Sequence, residues 1–269
     1  MPTNIIFSAI GEDHVQQAVF AAKSVKINCP DAVVTLYSNC TVETPWIDEQ
    51  VEIAPATNLK SDAFNMKVAK LKTLRDCPHS EFIYLDSDVY VAADIVSVFQ
   101  SGASFDLACA HDTWRWWQNP RCLAPLNSGV LFVRRCKATD NFFEEWVKKY
   151  EQCVCVPDQM SFRELFYNHP DMKKLILSQE YNFRAAEPNH VSGLVWIVHS
   201  YYKWHEWNRN PPALAYFLNL SEDNRVWIPF EGLHCLGKPP SLERYHIKFS
   251  EHTAKMKEIS ENFMKGTQY

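Results

Sequence analysis

Glycine is scarce in this 269-residue chain: seven in all, at positions 11, 102, 129, 193, 232, 237 and 266. No G-x-G-x-x-G and no P-loop can be assembled from them, which argues against Rossmann dinucleotide and Walker phosphate sites. Long apolar runs are missing as well, so no segment is expected to span a bilayer. Strand-like sequence from Asn4 leaves no room for a secretory leader. Positive charge is not in excess: the net charge of −5 gives no electrostatic case for binding nucleic acid or an anionic membrane. Nine cysteines in a chain of this length do not make a disulfide scaffold, and Cys153 and Cys155 lack zinc-knuckle spacing. Most are expected to be small buried hydrophobes in a reducing compartment, which points to a cytoplasmic protein.

What is present is an ordinary globular composition, 46% apolar and 22% charged, with length for one large domain or two small ones. "NIIFSAIG" (4–11) reads as a buried strand and residues 13–30 as a helix stopped by Pro30. Strands are expected at 32–39 and 51–56, a second helix at 63–78, and further strands at 81–88 and 105–112. A strand at 127–135 leads to a helix at 139–153 capped by Thr139 or Asp140, then to a short helix at 157–170 and a strand at 193–201. The alternation argues for an α/β fold with a mostly parallel central sheet flanked by helices. It fades beyond about residue 208. A turn at Pro211 and Pro212, "NRVWIPF" and a polar helix near 250–265 read as a C-terminal extension, dividing the chain into a core at 1–208 and an appendage at 209–269.

The segment "EFIYLDSDVYV" (81–91) drives an apolar strand straight into Asp86 and Asp88. Unpaired buried charge costs several kcal/mol, so the two carboxylates need a reason to be there. In an open parallel sheet, ligands bind at the carboxyl ends of strands. Two oxygen ligands one residue apart suit Mn²⁺ or Mg²⁺ held together with substrate phosphates. The bland alternative is a capped turn with Asp88 exposed.

Three further motifs follow in order: "LNSGVLFV" (126–133), "PDQMSF" (157–162) and "VWIVHS" (195–200), which ends a strand on His199. Over residues 4–203 this combination resembles the metal-dependent glycosyltransferases of the GT-A fold, particularly the glycogenin-like retaining family. The resemblance implies a single GT-A (Rossmann-like) domain that moves a hexose from a nucleotide-diphosphate sugar, UDP-linked, to an acceptor hydroxyl. The acceptor's class, whether glycan, lipid or small molecule, stays open. Asp86, Asp88 and His199 would bind the metal. Ser8, Ala9, Ile10, His14, Lys70, Ser87 and the aspartates would hold the donor, with His14 against the base and Lys70 on phosphate and sugar. Asn127, Ser128 and Gly129 would line the sugar pocket, and Asp158 and Gln159 would flank the anomeric carbon, with Asn127 and Lys70 counted among the catalytic groups. "HCLGKPP" (234–240) offers His234 as an alternative third ligand, and Lys203 or Lys238 as a further diphosphate contact.

Breaking a sugar–diphosphate bond builds negative charge on the leaving phosphate and oxocarbenium character on the sugar. A Lewis-acidic metal and a fixed lysine charge suit the first, and amide and carboxylate groups suit the second. Each residue also has a plainer reading. Lys70 and His14 fit a solvated helix face, Asp158 after Pro157 fits an N-cap, and Asp112 fits a strand cap or an acceptor contact. Trp114, Trp116 and Trp117, with Trp204 and Trp207, suit stacking on a sugar. An inverting transferase with Asp158 or Asp112 as base, a non-catalytic sugar-nucleotide module, and a haloacid-dehalogenase-type phosphohydrolase are the alternatives. The last is disfavoured by Tyr90 two residues after Asp88 and by the late position of the motif.

Overall fold

The computed structural model describes residues 2–54, 61–112, 123–152, 157–199, 210–220, 224–228, 232–236, 244–247 and 252–266. Strand β1 (Asn4–Ala9) leads through helix α1 (Glu12–Asn28) to β2 (Val33–Ser38) and the exposed edge strand β3 (Glu49–Glu52). Helix α2 (Asp62–Asp76) then returns the chain across β1 to β4 (Glu81–Leu85). Ser61 caps α2 by accepting from Phe64 N–H. The order β3-β2-β1-β4, all parallel, places the reversal of strand order between β1 and β4, where ligand crevices form in such sheets.

The sheet continues with β7 (Leu126–Arg134), β6 (Leu107–His111) and β8 (Lys174–Leu177). β7 runs antiparallel to both neighbours, so six of the seven strands share one direction. The reversal brings the beginning of β7, Asn127 to Gly129, to the end of β4: Asp86 N–H donates to Gly129 C=O at 2.7 Å.

Alternation along β1 divides the core. Ile5, Phe7 and Ala9 pack with α1, while Ile6 faces α2, α4 (Lys137–Gln152) and α5 (Asp158–Asn168). On the second face Trp146 is fully buried, and its indole N–H donates to Ser161 at 3.1 Å, joining α4 to α5.

A three-stranded sheet, β5 (Val89–Val91), β11 (Ile197–His199) and β9 (Phe183–Arg184), sits beside α1. The expected strand at 193–201 shortens to three residues within 193–199. Val195 N–H goes to the Asn219 side chain and Trp196 N–H to Glu180 C=O, outside any ladder. Pro211 and Pro212, read as a turn, instead open helix α6 (Pro211–Leu218), where their missing N–H groups cost nothing. Likewise α4 starts at Lys137, so Thr139 and Asp140 lie inside it rather than at its cap.

Past α6, β12 (Asn224–Ile228), β13 (Gly232–Leu236) and β14 (Arg244–Ile247) join β10 (Asn189–Val191) in an antiparallel sheet. Helix α7 (Thr253–Lys265) buries Met256, Ile259 and Phe263 against α6 and the outer face of β11. Lys23 of α1 donates to Met264 C=O at 2.7 Å, satisfying an end carbonyl of α7. Among the described residues no helix is long and apolar enough to cross a membrane. Five cysteines there are free thiols, of which Cys29, Cys77 and Cys109 are buried and Cys40 and Cys136 half-buried.

Candidate active site

A cleft of about 460 Å³ opens at the carboxyl ends of β1 and β4. Its wall includes Ser8 and Ile10 from β1 and its exit, His14 from α1, Lys70 from α2, and Asp86, Ser87 and Asp88 from the end of β4. These seven were expected from the sequence. Ala9 alternates inward and packs in the core, so only its backbone is near the cleft.

Asp86 and Asp88, on the cleft wall, meet His199, which is buried and outside the cleft lining. His199 Nε2 lies 3.2 Å from Asp88 Oδ1 and 3.9 Å from Asp86 Oδ2, and one donor atom of each residue falls within 4.8 Å of the others. Two ligands of one small divalent ion, at about 2.1 Å each, stand at most some 4 Å apart, so the triad fits such an ion with minor adjustment. Two carboxylate oxygens and one imidazole nitrogen form the kind of donor set that takes Mn²⁺. His199 thus fits the third position expected from the sequence. His234 lies on β13, opposite Val226 and His246 in the ladder.

Lys70, nearly fully buried, ties the triad to a second group of residues. Its Nζ is 3.0 Å from Asp86 Oδ1, 3.1 Å from Asp158 Oδ2 and 3.2 Å from Ser128 Oγ. Ser128 O–H donates to Asp158 Oδ2 at 2.8 Å. Asn127 Oδ1 accepts from Gly129 N–H at 2.7 Å, and its amide approaches Asp112 Oδ2 at 3.5 Å. Gly129 has no room for a side chain: an added Cβ would lie 2.4 Å from His199 Cε1 and 2.6 Å from Asp86 Oδ2. Close approach, then, is what this glycine provides, toward the triad itself.

Burial works against ionisation of these carboxylates, yet their partners prevail. Burial pushes the Asp86 carboxyl up, while Lys70, Lys67 and His199 bring it below its ordinary value. Asp88, also opposed by burial, is held well down by His199 and then Arg184. Asp158 is held well down by Lys67 and Lys70 with the Ser128 hydrogen bond. All three are carboxylates at neutral pH.

Some expectations change. Asp158 is the first residue of α5 and caps nothing: Pro157 holds the cap position, and the carboxylate turns to Lys70. Asp88 lies in a turn, as the plainer reading had it, but half-buried beside His199 rather than exposed. Asp112 is buried against Asn127. Gln159, next to Asp158 on α5, is half-buried and outside the cleft lining. Trp114, Trp116, Trp117, Trp204, Trp207, Lys203, Lys238, Cys153 and Cys155 lie outside the described residues.

Sequence reasoning missed Lys67, one helical turn before Lys70, which lines the cleft with Nζ 3.8 Å from Asp158. The spacing K-x-x-K on α2 was the available signal. It also missed Asp13, Gln17, Ala63, Met66 and Tyr84 in the lining. Tyr84, two residues before Asp86, shares its face of β4.

A mostly parallel central sheet flanked by helices is the fold of GT-A glycosyltransferases. The model of the nucleotide-diphospho-sugar transferase family matches residues 39–214, more than half of the chain. The protein belongs to that family. No curated protein sequence matches it. Its fold is similar to that of the glycosyltransferase GlyE of Streptococcus pneumoniae TIGR4, at TM-score 0.55 and 14% identity, over 82% of this chain and 61% of GlyE. It is also similar to LgtC, a galactosyltransferase solved with donor and acceptor sugar analogues, at TM-score 0.51 and 17% identity, over 76% of this chain and 90% of LgtC. The chain therefore spans under two thirds of the length of GlyE.

Proposed function

We propose that the protein is a metal-dependent hexosyltransferase that takes a nucleotide-diphosphate sugar, UDP-linked, and glycosylates the hydroxyl of a glycan, lipid or small-molecule acceptor with retention. In this reading residues 1–208 are the transferase core and 209–269 an extension packed on it. Free thiols agree with a reducing, cytoplasmic setting. The observation that carries the proposal is the meeting of Asp86 and Asp88, which line the cleft with Lys70, with the buried His199.

Asp86, Asp88 and His199 would hold Mn²⁺ or Mg²⁺, which when bound supplies Lewis-acid stabilisation of the departing diphosphate. Ser8, Ile10 and His14 line the end of the cleft suited to the base, and Lys70 and Lys67 bring fixed positive charge toward the phosphates. Asn127, Ser128 and Asp158, buried and outside the cleft lining, are hydrogen-bonded next to Lys70 and would meet sugar hydroxyls only once the donor is bound. An ionised Asp158 beside the anomeric carbon stabilises developing positive charge.

Retention is favoured over inversion because an inverting enzyme needs an available carboxylate base. Asp112 is buried against Asn127, and Asp158 is committed to two lysines and held far below the range of a useful base. The test is a panel of UDP-, GDP- and TDP-sugars with Mn²⁺, scoring nucleoside diphosphate release, with NMR of the first-formed sugar anomer. Release from a UDP-hexose with retained configuration supports the reading. No release from any donor overturns it, and first-formed inverted product overturns its stereochemistry.

A further inference from the structure

We propose that Tyr84 and Asn182 are positioning residues that commit one atom each of Asp86 and His199 to the protein, leaving the other atom of each for a divalent cation. The inference rests on the metal-dependent reading above.

The two oxygens of Asp86 have different surroundings. Oδ1 accepts from the Tyr84 hydroxyl at 2.7 Å and faces Lys70 Nζ at 3.0 Å. Oδ2 points the other way, toward His199 Nε2 at 3.9 Å. Tyr84 is 1% exposed, and its ring lies under Lys70, 5.0 Å from Nζ to centroid. The ring fixes the lysine and the hydroxyl fixes the carboxylate, so Asp86 has one rotamer and one outward oxygen.

His199 is divided in the same way. Its Nδ1 is 2.5 Å from Asn182 Oδ1. An amide oxygen only accepts, so Nδ1 gives its proton to Asn182, and Nε2 is the nitrogen left facing Asp88 Oδ1, at 3.2 Å. Asn182 is 1% exposed and its Nδ2 has no hydrogen-bond partner among the described residues. A buried amide with its donor unmet is held there by what its carbonyl does, and that is to orient His199.

The opposite amide orientation would donate to Nδ1, place the proton on Nε2 and remove the ligand. Asn182→Asp separates the two, because an ionised carboxylate can only accept. The experiment is an electron paramagnetic resonance titration of Mn²⁺ into the full chain without donor. Wild type is compared with Tyr84→Phe, Asn182→Ala, Asn182→Asp and Asp88→Ala, with metal-free thermal unfolding of each.

We expect Tyr84→Phe and Asn182→Ala to bind Mn²⁺ about 10- to 100-fold more weakly, and Asn182→Asp to bind close to wild type. If Asn182→Ala does not fold, the near-isosteric Asn182→Leu takes its place. Wild-type affinity in folded Tyr84→Phe and Asn182→Ala would overturn the inference, as would Asn182→Asp binding as weakly as Asn182→Ala. Equal binding by wild type and Asp88→Ala would instead overturn the metal reading beneath it.

Discussion

Gly129 stands where β4, β7 and β11 converge, and a single methyl there would meet both His199 and Asp86. Gly129→Ala should weaken Mn²⁺ binding and cost about 1–3 kcal/mol of stability through overpacking, measured by metal titration and urea unfolding. Lys70 neutralises the buried Asp158 and the half-buried Asp86 at once, so Lys70→Met should destabilise the fold by about 3–5 kcal/mol and abolish turnover. The pairing of Asp158 also has a pH signature. Its carboxyl is held below the ordinary 3.8, so its contribution is present above that value and is lost as pH falls. The stability gap between wild type and Asp158→Asn should be widest near neutrality and shrink below about pH 5. A gap independent of pH would contradict the pairing. At this scale the sequence was most readable where a residue violated its surroundings: aspartates ending an apolar strand, or a histidine ending another. Lys67, Tyr84 and Asn182 violated nothing. Nothing singled them out, because their roles depend on partners distant in sequence.

Elements were legible in proportion to their length and periodicity. Helices α1, α2, α4 and α5 and strands β1, β2, β4 and β7 lie close to their expected positions because each has enough residues to display its pattern. β5, β9 and β11 have two or three residues each, too few for any period, and exist because the larger sheet and α1 offer them a buried surface. The reversal of β7 was likewise invisible, since an isolated strand carries no record of its direction. Helix α6 was hidden behind its own start signal, with prolines taken for a turn. Asn210 caps that helix through Ala213 N–H and also donates to Met256 C=O on α7. Asn210→Ala should therefore cost about 1–2 kcal/mol, read from chemical unfolding. A change near zero would mean that the two helices hold together by apolar contact alone.

Over the whole molecule, two apolar layers position the polar cleft: α1 on one side of the sheet, and α2, α4 and α5 on the other. The C-terminal helices add a third cluster over Phe20, Ile27 and Tyr90. Truncation before residue 252 should expose that cluster, lowering the unfolding temperature and raising dye binding to apolar surface. Order and spacing of four motifs carried the fold, and about half of the cleft lining was expected from the resemblance they support, whereas the acceptor was beyond their reach. The central claim is that one carboxylate–imidazole triad makes donor chemistry depend on a metal. Its most direct measurement is UDP-sugar hydrolysis by wild type with Mn²⁺, by wild type with excess EDTA, and by Asp88→Ala with Mn²⁺. The account predicts turnover only in the first, with the other two lower by about 100-fold or more. Equal turnover in all three would contradict it.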